Sequence, residues 1–244
     1  TSDEYELLLK QNLNLAHQLT FGITHKNLET QTDKATDPFQ QDLNTTGYYI
    51  QHQYKTDQLS TQLGYRLEDH EKYGTHDVAQ FGVRWHIRPN LSVYSNIGTA
   101  FKAPTVNDLY YGTYANPNLK PEESTSYEIG IHHDINNNWH VGASLYHTDI
   151  KNLIGSDDDT WVLANLSNAR MQGAEALIQW QHDDYFFKTS YHYVKATNQV
   201  KNTDLIRRPR QTLALSAGLQ NEIYGLSASL VAKSKAKDWD TAQS

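Results

Sequence analysis

Hydrophobic residues recur at every second position along most of this chain, in runs of roughly ten residues. In QLSTQLGYRLED, Leu59, Thr61, Leu63, Tyr65 and Leu67 fall on one face; Ser60, Gln62, Gly64, Arg66 and Glu68 fall on the other. VAQFGVRWHI sets Ala79, Phe81, Val83, Trp85 and Ile87 against Gln80, Arg84 and His86. WHVGASLYHTD sets Trp139, Val141, Ala143 and Leu145 against His140, Gly142, Ser144 and Tyr146. A period of two belongs to strands, whose successive side chains point to opposite faces. The alternation predicts about twelve of them. Their spans are 5–15, 18–28, 43–55, 58–69, 77–87, 91–101, 125–133, 139–150, 169–181, 185–195, 210–220 and 223–233.

Strand length narrows the class. Soluble sheets favour strands of about five or six residues, whereas a tilted strand crossing a bilayer needs about 9–11. The connections also sort by length. Tight links are predicted near Ala16, at KTDQ, RPN, INNN and HDD, and near Asn221. Long ones are predicted at 29–42, 70–76, 102–124, 151–168 and 196–209. Tight turns on one side and long loops on the other are the pattern of outer-membrane barrels. The expected fold is therefore all-β, an antiparallel transmembrane β-barrel occupying residues 1–244 as one domain. Tyr54, Trp85, Trp139, Trp180 and Tyr185 all lie beside tight links, where they would form an interfacial girdle.

Composition agrees. Only 38% of residues are hydrophobic and the mean hydropathy is −0.72, as expected where one strand face meets lipid and the other a wet lumen. No run approaches the ~18 apolar residues of a membrane helix. A net charge of −7 argues against a nucleic-acid partner. With no cysteine, a disulfide scaffold, a thiolate metal site and a cysteine nucleophile are all excluded. Thr1 opens no basic and apolar leader of the secretory kind.

FKAPTVNDLYYGTYANPNLKPEEST, residues 101–125, breaks the alternation. It holds Pro104, Pro117 and Pro121, with Asn107, Asn116 and Asn118, and three tyrosines, Tyr110, Tyr111 and Tyr114. Proline removes ladder donors and asparagine favours turns, so this is a loop. With its flanks it resembles a segment of TonB-dependent outer-membrane receptors. Phe101, Lys102, Ala103 and Pro104 match the family's aromatic-[KR]-A-P box, and Asn116, Pro117, Asn118, Leu119, Pro121 and Glu122 its N-P-N-L-x-P-E box. Glu128 with Gly130 match its E-x-G strand, YHTDIKNLI its next hairpin arm, and Asn168, Gly173 and Glu175 its pattern of an asparagine followed by G-x-E. The match covers roughly residues 43 to 233.

The resemblance implies a Gram-negative outer-membrane location and a barrel of about 22 strands, of which this chain shows about twelve and no plug. It implies active uptake of a large scarce nutrient, driven by the TonB energy-coupling complex acting through the absent plug. The loop would fold over the extracellular mouth, its tyrosines supplying amphipathic contact area at low entropic cost. Ligand contact is expected at Tyr110, Tyr111, Tyr114 and Asn116. The compact spacing of the two proline boxes, with TDIKNLI and LIRRPRQ downstream, is most similar to members that take up cobalamin. Ferric-siderophore receptors stand close behind. Haem receptors usually carry a ligating histidine between the boxes, and none lies between Pro104 and Asn116. A passive porin or autotransporter barrel fits the strand count but does not explain the boxes.

Other chemistry is weaker. Asp69, His70, Glu71, His76 and Asp77 are ligand types for a loop divalent cation, and Asp157, Asp158 and Asp159 could take calcium, though a solvated loop explains both runs. No resident metal or cofactor is expected. Arg207, Arg208 and Arg210 could hold a ligand's phosphate or propionate, or pair with lumen carboxylates such as Glu175. An enzyme is not expected: His140 and Ser144 share the inward face but stand about 13 Å apart by strand rise. Asp69-His70 forms a dyad without the paired acids that a rim protease needs.

Overall fold

The computed structural model describes residues 1–32, 39–157 and 160–237. Twelve long antiparallel strands follow one another around a single sheet. They are β1 (Ser2–Asn12), β2 (His17–Thr32), β3 (Phe39–Lys55), β4 (Leu59–His70), β5 (Gly74–Arg88), β6 (Leu91–Lys102), β7 (Glu122–Asp134), β8 (Trp139–Ser156), β9 (Leu163–His182), β10 (Tyr185–Asn198), β12 (Gln211–Gln220) and β13 (Gly225–Lys233). The two-residue β11 (Thr203–Asp204) adds to β10, and a five-residue helix, α1 (Val106–Tyr110), interrupts the β6–β7 loop. Among the described residues no pairing joins β1 to β13, so the sheet is an arc with two free edges.

The register carries one apolar parity around this arc. Leu9 pairs with Phe21, Phe21 with Ile50 and Ile50 with Tyr65. Farther round, Trp85 pairs with Val93, Val93 with Ile131, Ile131 with Ala143 and Ala143 with Ala176. Leu9, Phe21, Ile50, Tyr65, Trp85 and Ile131 are all exposed. An apolar surface of that extent suits lipid rather than water. The expected girdle residues lie on the same parity; Trp139 and Trp180 meet across β8 and β9 with ring centroids 6.2 Å apart.

The opposite parity is polar, with Arg84, Tyr94, Gly130, Ser144, Glu175 and His192 following one another across β5 to β10. The Tyr94 hydroxyl donates to Glu128 Oε1 (3.0 Å), Asn96 Nδ2 donates to Glu128 Oε2 (3.2 Å), and Glu175 Oε1 pairs with His192 Nδ1 at 3.0 Å. Glu175 is therefore joined to a histidine rather than to the downstream arginines. Two motif glycines have a packing reason. A Cβ at Gly130 would lie 2.5 Å from the Tyr94 ring, and one at Gly173 would lie 2.4 Å from both Tyr146 Cζ and the Tyr193 carbonyl oxygen. Only glycine lets the neighbouring tyrosine lie flat there.

Three of the tight links share one device. Asn14 Oδ1 accepts from the Ala16 and His17 amides, Asn136 Oδ1 from Asn138 and Trp139, and Asn221 Oδ1 from Ile223 and Tyr224. The asparagine side chain replaces a backbone turn bond in each. The first sets the end of β1 at Asn12, three residues before the predicted boundary.

At the other end the strands outrun the alternation. The link predicted as a long loop over 70–76 is a tight hairpin turn, with β4 ending at His70 and β5 starting at Gly74, whose φ of +74° closes it. β8 continues to Ser156 and β9 begins at Leu163, with register shifts between Ile150 and Ile154.

Candidate functional site

The 103–121 excursion has the best-formed apolar core among the described residues: Leu109, Leu119 and Val106 are only 1%, 2% and 5% exposed. Its helix starts with a capping box. Thr105 Oγ1 accepts from the Asp108 amide (3.2 Å), while Asp108 Oδ2 accepts from the Thr105 amide (2.8 Å) and hydroxyl (2.7 Å). Gly112, at φ +78°, then turns the chain.

The N-P-N-L-K-P-E stretch works as a strap onto the β8–β9 hairpin. The Leu163 amide donates to the Tyr114 carbonyl (2.8 Å), and Asn116 Nδ2 donates to the Leu163 carbonyl (2.8 Å). Asn165 Oδ1 accepts from the Lys120 amide (2.8 Å), and its Nδ2 donates to the Lys120 carbonyl (2.8 Å) and the Asn152 carbonyl (2.9 Å). Asn152 Nδ2 donates to the Pro121 carbonyl (3.3 Å), and Glu122 Oε1 accepts from the Ile154 amide (2.8 Å). The prolines that withdraw ladder donors are thus bridged by asparagine carboxamides.

The other side of the loop is held by Lys72 of the β4–β5 turn. Its Nζ donates to the Tyr110 hydroxyl (2.9 Å) and the Pro117 carbonyl (3.1 Å), and lies 4.8 Å from the Tyr110 ring centroid and 5.8 Å from that of Tyr73. Burial lowers the pKa of His70, whose Nδ1 accepts from the Lys72 amide (3.2 Å). The Tyr73 hydroxyl is buried without a hydrogen-bond partner among the described residues, and burial, with Tyr110 and Asp108 nearby, pushes its pKa up to about 12.

The four residues expected to touch ligand therefore separate into two pairs. Tyr110 is bound to Lys72. Asn116 uses its carboxamide within the strap, its Oδ1 also accepting from the Asn118 amide (2.9 Å). Tyr111 and Tyr114 stand 46% and 58% exposed on the loop surface. Trp161, 49% exposed and at φ +63°, is two residues from the backbone bond that joins the loops. Sequence reasoning passes over Lys72, Asn165 and Trp161. Lys72 lies within the acid and histidine run that draws attention to metal, and Asn165 sits opposite Lys120 only once β9 is known to begin at Leu163.

Several residues of the metal-type run have structural partners. Glu71 Oε2 accepts from the Asn44 amide (2.9 Å) and carboxamide (3.1 Å), and His76 stacks on Phe101 with centroids 3.9 Å apart. Among the described residues no three histidine, aspartate or glutamate side chains gather around a common point. Asp157 Oδ1 accepts from the Thr160 amide and hydroxyl; Asp158 and Asp159 lie outside the described residues. Arg210 pairs with Asp204 at 2.6 Å, and with Arg208, Lys235 and Lys237 lines a cavity of about 370 Å³.

A lipid-facing apolar parity, a polar opposite face and loops locked over one end define a strand array of an outer-membrane β-barrel. The family model described as TonB dependent receptor-like, beta-barrel, matches residues 2–244, and the chain belongs to this family. Its members are β-barrel receptors and transporters of the Gram-negative outer membrane, not enzymes. The chain is 30% identical over 203 residues to the vitamin B12 transporter BtuB of Photobacterium profundum, a match covering 79% of this chain and 33% of that protein. A variant of the ferric enterobactin receptor from Pseudomonas aeruginosa superposes with a TM-score of 0.81 at 17% identity, over 97% of this chain and 42% of that one. The siderophore receptor PirA from the same organism gives 0.77 at 20% identity, over 95% and 46%. The chain thus spans about a third of the curated relative and less than half of these structures.

Proposed function

We propose that this chain is part of an active-transport receptor that binds cobalamin at the extracellular loop cluster. Tyr111 and Tyr114 would form the contact surface, with Tyr110 and Asn116 holding its shape. The observation that carries this reading is the pair of exposed tyrosines on a loop fixed from both sides, by Lys72 and by Asn165. Aromatic rings give large amphipathic contact area at low entropic cost, and a loop already held loses little more on binding. Cobalamin is favoured among large nutrients by the 30% identity to a vitamin B12 transporter. Uptake through the complete receptor would draw energy from the TonB complex.

The test is calorimetry on the full-length receptor in detergent, comparing cyanocobalamin with ferric siderophores and haem. Cobalamin alone should bind tightly, and Tyr111→Ala with Tyr114→Ala should weaken it by about thirtyfold or more, as for paired aromatic anchors. Tight siderophore or haem binding without cobalamin binding would overturn the ligand. Undiminished cobalamin binding by the double variant would overturn the site.

A further inference from the structure

We infer that the outward face of β8 to β10 carries a seat for the phosphate of an anionic lipid, at the upper border of the apolar belt. Along one register row Ile129, Leu145, Ala174 and Tyr193 follow one another across β7 to β10, all apolar or aromatic. The next outward row is Tyr127, His147, Gln172 and Lys195, and the one beyond it is Thr125, Asp149, Arg170 and Thr197. The parity is unchanged, so these side chains stand on the lipid-facing side where the hydrocarbon-facing residues stop. That is the level of lipid headgroups.

The polar groups there form an ordered relay. Gln172 Nε2 meets His147 Nδ1 at 2.9 Å, His147 Nε2 meets Asp149 Oδ2 at 2.8 Å, and Arg170 Nε donates to Asp149 Oδ1 at 2.8 Å. Asp149 thereby fixes the guanidinium through Nε and leaves its far edge for a second acceptor. Lys195 is exposed and makes no side-chain hydrogen bond or ion pair among the described residues. It is the diagonal cross-strand neighbour of Arg170 on the same face, about 7–8 Å away by strand geometry. One oxyanion can meet both cations, and at this level the oxyanion available is a headgroup phosphate. Its acyl chains would then lie along Tyr193 and Leu145.

Native mass spectrometry of the full-length receptor, titrated with phosphatidic acid and with the matching diacylglycerol, tests the seat. Each cation near a lipid surface contributes about a fivefold preference for an anionic lipid. Lys195→Gln should lower the phosphatidic acid association constant about fivefold, and Arg170→Gln with Lys195→Gln about twenty-fivefold. Diacylglycerol binding should not change. Lys188→Gln removes the same charge from the opposite parity and should leave both lipids unaffected. Unaltered phosphatidic acid binding by the double variant, or an equal loss in Lys188→Gln, would overturn the proposal. Should the double variant fail to fold, Lys195→Gln alone decides, because no contact holds that side chain.

Discussion

At the scale of single residues the rim depends on Lys72 and the two tyrosines around it. The Lys72 ammonium is satisfied by Tyr110 and Pro117, but the Tyr73 hydroxyl beside it is buried without a partner among the described residues. A buried hydroxyl without a bond costs about 1 kcal/mol or more, so Tyr73→Phe should stabilise the β4–β5 turn by about that amount. Its titration gives the sharper reading. The folded phenol has its pKa raised from 10.0 to about 12, so between those values the folded turn holds a proton that the open one releases. The stabilising contribution is complete below pH 10 and is lost as pH rises toward 12. Absorbance at 295 nm should show a late-ionising fraction of the tyrosines, and Tyr73→Phe should reduce it by one tyrosine. An unchanged titration in the variant would show that another tyrosine accounts for it. None of this is legible in the sequence: Tyr73 sits in a run whose chemistry reads as metal ligands, and its burial depends on residues more than thirty positions away.

At the scale of elements, the strands are legible wherever the two faces meet different solvents. Within the apolar belt alternation is enforced residue by residue, and each of the twelve predicted spans corresponds to a strand. Above the belt the period-two alternation breaks, with Leu153 and Ile154 adjacent in β8 and Leu163 and Ala164 adjacent in β9. The pattern fades there while backbone pairing continues, so β8 runs six residues past its predicted end and β9 starts six before its predicted beginning. Those extensions supply Asn152, Ile154, Leu163 and Asn165, which hold the strap. The capping box at Thr105 and Asp108 is present in the sequence but reads there as part of a loop. Asn165→Ala would remove three bonds to backbone groups, at about 1 kcal/mol each. Strand pairing elsewhere is untouched, so thermal unfolding should change little, while chymotrypsin cleavage near Tyr110, Tyr111 and Tyr114 should accelerate by about thirtyfold or more. Equal cleavage rates would mean that the strap is held by Lys72 and the apolar core alone.

At the scale of the whole molecule, the open arc matters most. β1 and β13 are exposed along their whole length, and among the described residues each has one edge without a strand partner. Water can satisfy such an edge, but hydrocarbon cannot: each unpaired backbone group there costs several kcal/mol. An edge the length of β1 or β13 presents several such groups, far more than the stability of an ordinary domain could offset. Membrane insertion of these strands therefore requires further strands to close the sheet, in keeping with the chain spanning about a third of its curated relative. Residues 1–244 refolded alone into detergent micelles should associate through their edges and show no heat-dependent shift in gel mobility. The full-length receptor treated identically should show that shift as a closed monomeric barrel. A folded, monomeric, heat-modifiable species formed by residues 1–244 alone would mean that β1 and β13 can pair with each other, and that the open arc is one state of a smaller closed barrel.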